Sequence, residues 1–243
     1  MSAPFFFGME ILTHIPFTVD WTRLLREAHV EAGSEDAAEL LALAERAAEV
    51  GRPKAAYTEA FVEPVGEDTV RIGGRVFTSR VLKRNLAEVG RVFPVLMTCG
   101  NEMDAAYPAD GEVLRAYWRD LLKSQMLSAA VESVGERVRQ RYRLGKTAMM
   151  LPGSGDVTVW PIEQQRELFA LLGEASTAIG VTLTDSCLMI PNKTLSGILF
   201  ATQSDFRGCE VCHRENCASR KAPFNPRLWQ TYEGDAVVSG SGR

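Results

Sequence analysis

Three cysteines, Cys209, Cys212 and Cys217, fall within nine residues in the stretch Gly208-Cys209-Glu210-Val211-Cys212-His213-Arg214-Glu215-Asn216-Cys217. Two thiols separated by two residues can grip one metal from a tight turn. A third, five positions on, can close a trigonal face on the same ion or cluster. Three thiolates without an obvious fourth suit an iron–sulfur cluster with an open or non-cysteine position. They also suit zinc if Cys187, Cys99 or His213 completes a tetrahedron. Arg207, Arg214, Arg220, Lys221 and Arg227 flank the segment against Asp205, Glu210 and Glu215, five basic groups to three acidic ones. Such surroundings favour binding as thiolates. The string Cys209-x-x-Cys212-His213 also matches the attachment site of c-type haem, but that chemistry normally needs export, and no basic n-region precedes the apolar start.

A second stretch carries information of another kind: Leu183-Thr184-Asp185-Ser186-Cys187-Leu188-Met189-Ile190-Pro191-Asn192-Lys193-Thr194-Leu195-Ser196-Gly197. Ahead of it stand Thr98-x-Gly100-x-Glu102-x-Asp104 and the turn Pro152-Gly153-Ser154-Gly155, which is followed by Glu163-Gln164-Gln165. The Gly-Ser-Gly turn has no Gly-Lys-Ser/Thr after it and is weak evidence for a phosphate loop. Three histidines leave little room for a Ser/His/Asp triad.

In its order of residues the 183–197 stretch resembles the C-terminal activation domain of cobalamin-dependent methionine synthase: Leu-Thr-acid-Ser, a Met, a Pro, then Ser or Thr, an apolar residue, Ser and Gly. The 98–104 motif, a long helix expected over 111–143 and the Pro152-Gly153 turn with its Gln-rich sequel agree with stand-alone relatives of that domain, and the resemblance spans roughly residues 60–205 and more loosely the whole chain. It implies a lid that closes over the corrinoid of a partner domain while cob(II)alamin is reduced and remethylated from S-adenosylmethionine. Pro152, Gly153, Ser154, Gly155, Ser186, Pro191, Ser196 and Gly197 would then form the cofactor-binding surface, and no catalytic residue is assigned on the chain. In the synthase an Arg grips the S-adenosylmethionine carboxylate and a Tyr follows. Met149 and Ser154 stand at those positions here, so strong S-adenosylmethionine binding is not expected. The partners implied are a corrinoid-binding methyltransferase, most simply a methionine synthase lacking its own activation domain, and an electron-donor protein. Cobalamin would come from the partner, and an iron–sulfur cluster, or zinc, would sit on this chain. The alternatives are an iron–sulfur electron-transfer module and an adaptor with a structural zinc site.

Around these segments, 243 residues with 46% hydrophobic content make one large domain or two small ones. The net charge of -4 argues against a nucleic-acid partner. No apolar run approaches the roughly 20 residues needed to span a bilayer, and a cytoplasmic location is expected. Asp20 and Ser34 are helix caps, followed by apolar residues at helical spacing. Gly73-Gly74 between two short alternating runs reads as a hairpin. Residues 92–97 read as a strand that Pro94 demotes to an edge or bulge. A helix of about thirty residues is expected over 111–143, with Val113, Tyr117, Leu121, Leu127, Val131, Val134 and Val138 inward and Arg115 and Arg119 outward. Pro161 opens another that runs to Ile179. The fold class is α+β, long helices on a twisted antiparallel or mixed sheet. The expected organisation is a helical segment over 1–55, an activation-domain-like core over 56–205, a metal-binding segment over 206–230 and a flexible tail over 231–243. Glu102 and Asp104 either line the corrinoid cleft or simply cap a helix or face solvent. Lys193 is expected as a solvated turn lysine.

Overall fold

The computed structural model describes residues 7–108, 111–154, 159–217 and 220–233. Its centre is a seven-stranded antiparallel sheet in the order β4-β3-β2-β5-β9-β6, with β1 also paired to β2. The strands are β1 (Phe7–Leu12), β2 (Lys54–Pro64), β3 (Thr69–Ile72), β4 (Arg75–Thr78), β5 (Arg91–Thr98), β6 (Thr147–Met150) and β9 (Thr194–Ala201). A separate two-stranded hairpin joins β7 (Thr182–Leu183) to β8 (Met189–Ile190). The α+β class expected from the sequence is therefore the one observed. β1, which no sequence signal announced, extends the sheet from within the segment read as helical. Gly73 and Gly74 take positive φ, as a two-residue hairpin turn between β3 and β4 requires.

Alternation along the strands divides the core. On one face Tyr57, Phe93, Val95, Met97 and Leu199 pack against Ala130, Val134 and Val138 of α5 (Val113–Tyr142). On the other, Ala56, Ala60, Val92, Leu96, Ile198 and Phe200 meet α3 (Arg80–Asn85), α6 (Gln165–Leu172) and α7 (Ala175–Ala178). A third cluster joins α1 (Trp21–Ala28), α2 (Glu35–Val50) and α4 (Glu102–Ala106) to Trp118, Leu122 and Met126 of α5. Asp20 and Ser34 cap α1 and α2 through their side chains, as expected.

Three expectations are corrected. Pro94 sits in β5, a central strand between β2 and β9. Its missing N–H is absorbed because pairing with β2 lapses between Tyr57–Val95 and Ala60–Val92, while pairing with β9 continues through Pro94–Ile198. The helix expected from Pro161 to Ile179 is a 3-10 turn (Ile162–Gln164), α6 and α7, broken at Gly173 where φ is +54°. On α5, Val113 is 83% exposed and Tyr117 42%, whereas Arg119 is buried. Val134 and Val138 are buried as expected and Leu121, Leu127 and Val131 are partly buried, but the fully buried row also runs through Trp118, Leu122, Met126 and Ala130. A step of four residues overshoots one helical turn by about 40°, so this row winds around the helix. Its first half serves the helical layer and its second half the sheet.

Polar side chains tie the start of α5 to its neighbours. Gln125 accepts from the Asp20 N–H at 2.8 Å and donates to the Asp20 carbonyl at 3.2 Å. Arg119 donates to the carbonyls of Tyr107 and Pro108, just past α4. Lys123, its side chain 9% exposed, reaches both carboxylate oxygens of Asp104 at 2.9 and 3.0 Å. A buried ammonium left without its partner costs far more than the pair replaced by apolar bulk. Asp104→Ala should therefore lose about 2 kcal/mol of unfolding free energy, and Lys123→Met clearly less. Urea titrations of the two variants check the order, and a larger loss for Lys123→Met contradicts it.

Candidate functional site

β6 is an edge strand whose last residue, Met150, pairs with Ile198 of β9. The chain then leaves the sheet beside Gly197. A Cβ at Gly197 would lie 2.5 Å from Leu151 Cδ2 and 2.6 Å from the Met150 carbonyl. Only glycine permits this approach, and it brings the 152–154 turn against the start of β9. Gly153 holds φ at +71°, donates its N–H to the Trp160 carbonyl at 2.8 Å, and has Ile162 where a side chain would stand. Ile162 opens the 3-10 turn that runs into α6.

The turn between β7 and β8 is anchored to the same helix start. Arg166 donates to the Asp185 carbonyl at 2.6 Å. Thr184 and Leu188 bracket a three-residue loop through the Thr184 N–H to Leu188 carbonyl bond at 2.9 Å and the Cys187 N–H to Thr184 carbonyl bond at 2.9 Å. Such loops place their last residue in the left-handed region, where glycine is usual. Cys187 occupies it with φ at +62° and its side chain buried. Ser186 is exposed at the tip, 3.0 Å from the Thr184 hydroxyl, and Leu188 and Ile190 are 62% and 54% exposed beside it.

The 152–154 turn thus follows directly on the Leu151–Gly197 contact at the β6–β9 edge, where Pro152, Ser196 and Gly197 are buried and Ser154 is exposed, and Asp185, next to the exposed Ser186, is bonded to α6. Gly155 lies outside the described residues. Pro191 stands further along, at the start of β9, where its carbonyl accepts from Thr194, whose hydroxyl also meets that of Thr98 at 2.9 Å. Two buried polar atoms in this region have no partner: Ser196 Oγ, on a residue 2% exposed, and Gln165 Oε1, on a residue 4% exposed. Ser196 shares its sheet face with Ile198 and Phe200, which pack towards α6, and Gln165 is the first residue of α6. An unsatisfied buried acceptor or hydroxyl costs about 1–3 kcal/mol, so both are poised for an ordered water or a ligand group. Gln165 was legible only as part of a family pattern. A glutamine on the core-facing side of an amphipathic helix was the signal for its burial.

Other candidates resolve into packing. Lys193 pairs with Asp120 at 2.7 Å and Asn192 donates to the same carboxylate at 3.4 Å. Glu102 pairs with Lys54 at 2.5 Å and Asp104 with Lys123, so both acids of the 98–104 motif are held by ammonium groups. Gly100, at φ +83°, has the Arg52 carbonyl where a Cβ would stand. Burial pushes the Cys99 thiol up to about 11 from 9.0, against the opposing pull of Lys123.

The cysteine segment follows β9. Residues Gly208–Val211 form a 3-10 turn stabilised by the Arg207 N–H to Glu210 carboxylate bond at 3.0 Å. Val211 enters the sheet core, and α8 (Pro226–Glu233) packs beside the turn. α8 crosses residue 231, where a flexible tail was expected to begin. Residues 234–243 lie outside the described residues. The His213 ring lies 4.4 Å from that of Phe224, tilted, and 4.5 Å from that of Trp229, edge-on. Cys212 is buried, and Cys209 and Cys217 are half-buried. Among the described residues no three His, Cys, Asp or Glu side chains come together as a metal-holding group. Cys99 belongs to the helical-layer core. Tyr232 of α8 is hydrogen-bonded to Asn85 at 2.9 Å, and Asn85 to the Met150 sulfur at 3.4 Å, so one side chain links α8 to the end of β6.

This antiparallel sheet with its flanking helices is the fold of a methionine synthase reactivation domain. A solved structure, the crystal structure of the MetH reactivation domain bound to AdoHcy, matches with a TM-score of 0.63 and 17% identity, over 82% of this chain and 80% of that one. A family model described as "Vitamin B12 dependent methionine synthase, activation domain" matches residues 91–222, and the chain belongs to that family. No curated protein matches. Among the described residues no helix is long and apolar enough to cross a membrane.

Two measurements follow from this geometry. Gly197→Ala should cost about 1–3 kcal/mol by pushing β6 away from β9, read as a lowered urea midpoint and faster amide exchange at residues 147–150. An unchanged midpoint would mean that Leu151 yields freely. The unfolded Cys99 thiol ionises from about pH 9 while the folded one keeps its proton until about 11, so stability is unaffected below pH 9 and falls as pH rises through that window. The stability difference between wild type and Cys99→Ala should therefore shrink by about 2 kcal/mol from pH 8.5 to pH 11.

Proposed function

We propose that this chain closes over the corrinoid of a separate cobalamin-dependent methyltransferase, most simply a methionine synthase without an activation domain of its own, and assists reductive reactivation of its cob(II)alamin. The observation that carries the reading is the convergence of the 152–154 turn, the Ser196-Gly197 step and the Ser186 hairpin around the start of α6, within a chain of the activation-domain family. Of the residues that the resemblance points to, Gly153, Ser154 and Ser186 are accessible and form the proposed corrinoid-facing surface, while Pro152, Pro191, Ser196 and Gly197 are buried and support it from beneath. Cob(II)alamin is a poor electron acceptor, so the chain's task would be to hold the macrocycle and exclude water while an electron-donor protein reduces it. Leu188 and Ile190, exposed on the hairpin, give that surface an apolar rim suited to a partner.

S-adenosylmethionine is the family's methyl donor, and the related solved domain holds AdoHcy. Here Met149, packed against the α5 face of the sheet, stands where a carboxylate-gripping Arg would be. A thioether offers no cation to a carboxylate, so weak or absent binding of the free donor is part of the proposal. The cysteine segment is proposed as an iron–sulfur site that Cys209, Cys212 and Cys217 would hold once the loop draws their thiols together, fed by an electron-donor protein. Three thiolates within nine residues support a soft metal. Iron and sulfide analysis with visible spectroscopy on anaerobically reconstituted protein tests it. A colourless, zinc-containing product would leave a structural knuckle, and a metal-free one would leave neither.

The corrinoid reading is tested by titrating the chain into the cob(II)alamin-loaded corrinoid domain of a methionine synthase. A saturable change in the visible spectrum is expected, weakened at least about tenfold by Leu188→Glu or Ile190→Glu at unchanged melting temperature. No spectral change with the wild-type chain would refute the reading. Calorimetric titration with S-adenosylhomocysteine should give no saturable heat, and tight binding would show that Met149 does not impair the site.

A further inference from the structure

Among the described residues the most exposed large apolar side chains are Val113, Leu188 and Ile190. Val113 opens α5, and the other two belong to the β7–β8 hairpin. A polar frame joins the two elements. Asp120 of α5 pairs with Lys193 at 2.7 Å and accepts from Asn192 at 3.4 Å, just beyond β8. The Cys99 N–H donates to the Lys193 carbonyl at 3.0 Å, and Asn101 donates to the Gly180 carbonyl at 2.9 Å, just ahead of β7. Asp104, in the same 98–104 motif, is held by Lys123 of α5. The motif thus holds the base of the hairpin and the first half of α5 in one relation.

Val113, Tyr117 and Asp120 lie within about 60° of one another around α5, because each residue turns the helix by about 100°. From Val113 to Asp120 the row rises about 10 Å. Val113 and Tyr117 are exposed, and Tyr117 is fixed in place by its hydroxyl, which donates to the Glu27 carbonyl at 2.7 Å. The row ends at the carboxylate that meets the turn after β8, and Ile190 and Leu188 carry it on from there. Apolar side chains scattered singly over a surface need no explanation, but a continuous row of them does. Here its middle is a charge pair. That arrangement gives a partner apolar anchors on both sides and a polar contact that sets register.

We propose that the start of α5 and the hairpin rim form one docking face for the polypeptide of the corrinoid-bearing protein. Val113, Tyr117, Leu188 and Ile190 are its anchors, and the Asp120–Lys193 pair lies between them. The proposal rests on the corrinoid reading and goes further: it assigns the grip on the partner's protein surface, beside the macrocycle, to a helix that supplies none of the cofactor-facing residues. Two observations select this occupant. The chain belongs to an activation-domain family, whose work is done against a cobalamin-binding domain. The row is also continuous with the hairpin whose exposed tip is Ser186. The patch of the partner that it fits is apolar, with a polar group opposite the charge pair.

The test uses the full chain and the cob(II)alamin-loaded corrinoid domain of a methionine synthase. Val113→Glu and Val113→Lys bring opposite charges to an open helix start, so a charged partner surface cannot mask the lost apolar contact in both. Each should weaken binding about tenfold in the visible-spectrum titration, at unchanged melting temperature. Val76→Glu alters an exposed apolar residue of β4, at the far edge of the sheet, and should leave the affinity as it is. Amide exchange over residues 115–120 and 186–193 should slow together in the complex. Full affinity in both Val113 variants, while Leu188→Glu still weakens binding, would confine docking to the hairpin. The proposal would then fall and the corrinoid reading would stand. An equal loss in Val76→Glu would overturn it too, since the effect would not belong to this face. If the wild-type chain gives no spectral change, the corrinoid reading fails and takes the proposed occupant with it. Sedimentation of the chain alone completes the test: a dimer that Val113→Glu dissociates would assign the face to a second copy and overturn the proposal.

Discussion

The candidate site depends on one steric condition: at Gly197 two strands come closer than any side chain allows. Because β6 can press against β9 there, the turn that follows β6 emerges over the start of β9 rather than away from it. Ile162 then fills the space that Gly153 leaves, and the start of α6 is fixed by the same contact. Arg166 extends the arrangement to the hairpin. A chain of small, close approaches thus gathers segments spread over more than forty residues of sequence, from Pro152 to Gly197.

The long helix shows a second economy. Its buried row winds, so one element faces two different layers, and the polar residues that flank the row at its beginning are used as ties. Gln125, Lys123 and Arg119 each reach a different stretch of the neighbouring chain. The start of α1 and the α4 region are therefore held by specific hydrogen bonds as well as by apolar packing, which fixes their orientation on α5.

Much of this was legible beforehand, for reasons that differ by residue. Asp20, Ser34 and the Gly73-Gly74 pair act within a few residues of themselves, so their roles follow from local rules. The order of motifs over 183–197 announced the family before any geometry did. Pro94 misled because its cost depends on whether the ladder beyond it is complete, a property of β2 and not of β5. The α5 stripe misled because several apolar sets fit a thirty-residue helix, and only the position of the second layer selects among them. Ser196 and Gln165 could not be found as orphaned polar groups, since satisfaction is a matter of neighbours.

β2 has a consequence for the boundaries of the unit. It lies against β5 along most of its length and receives β1 and β3 in succession along its opposite edge. The family match begins at β5, on the far side of that junction. A fragment trimmed to the matched region would leave β5 with a long apolar border of unpaired peptide groups, of the kind that recruits other chains. The first ninety residues are therefore the sheet's own seal against self-association.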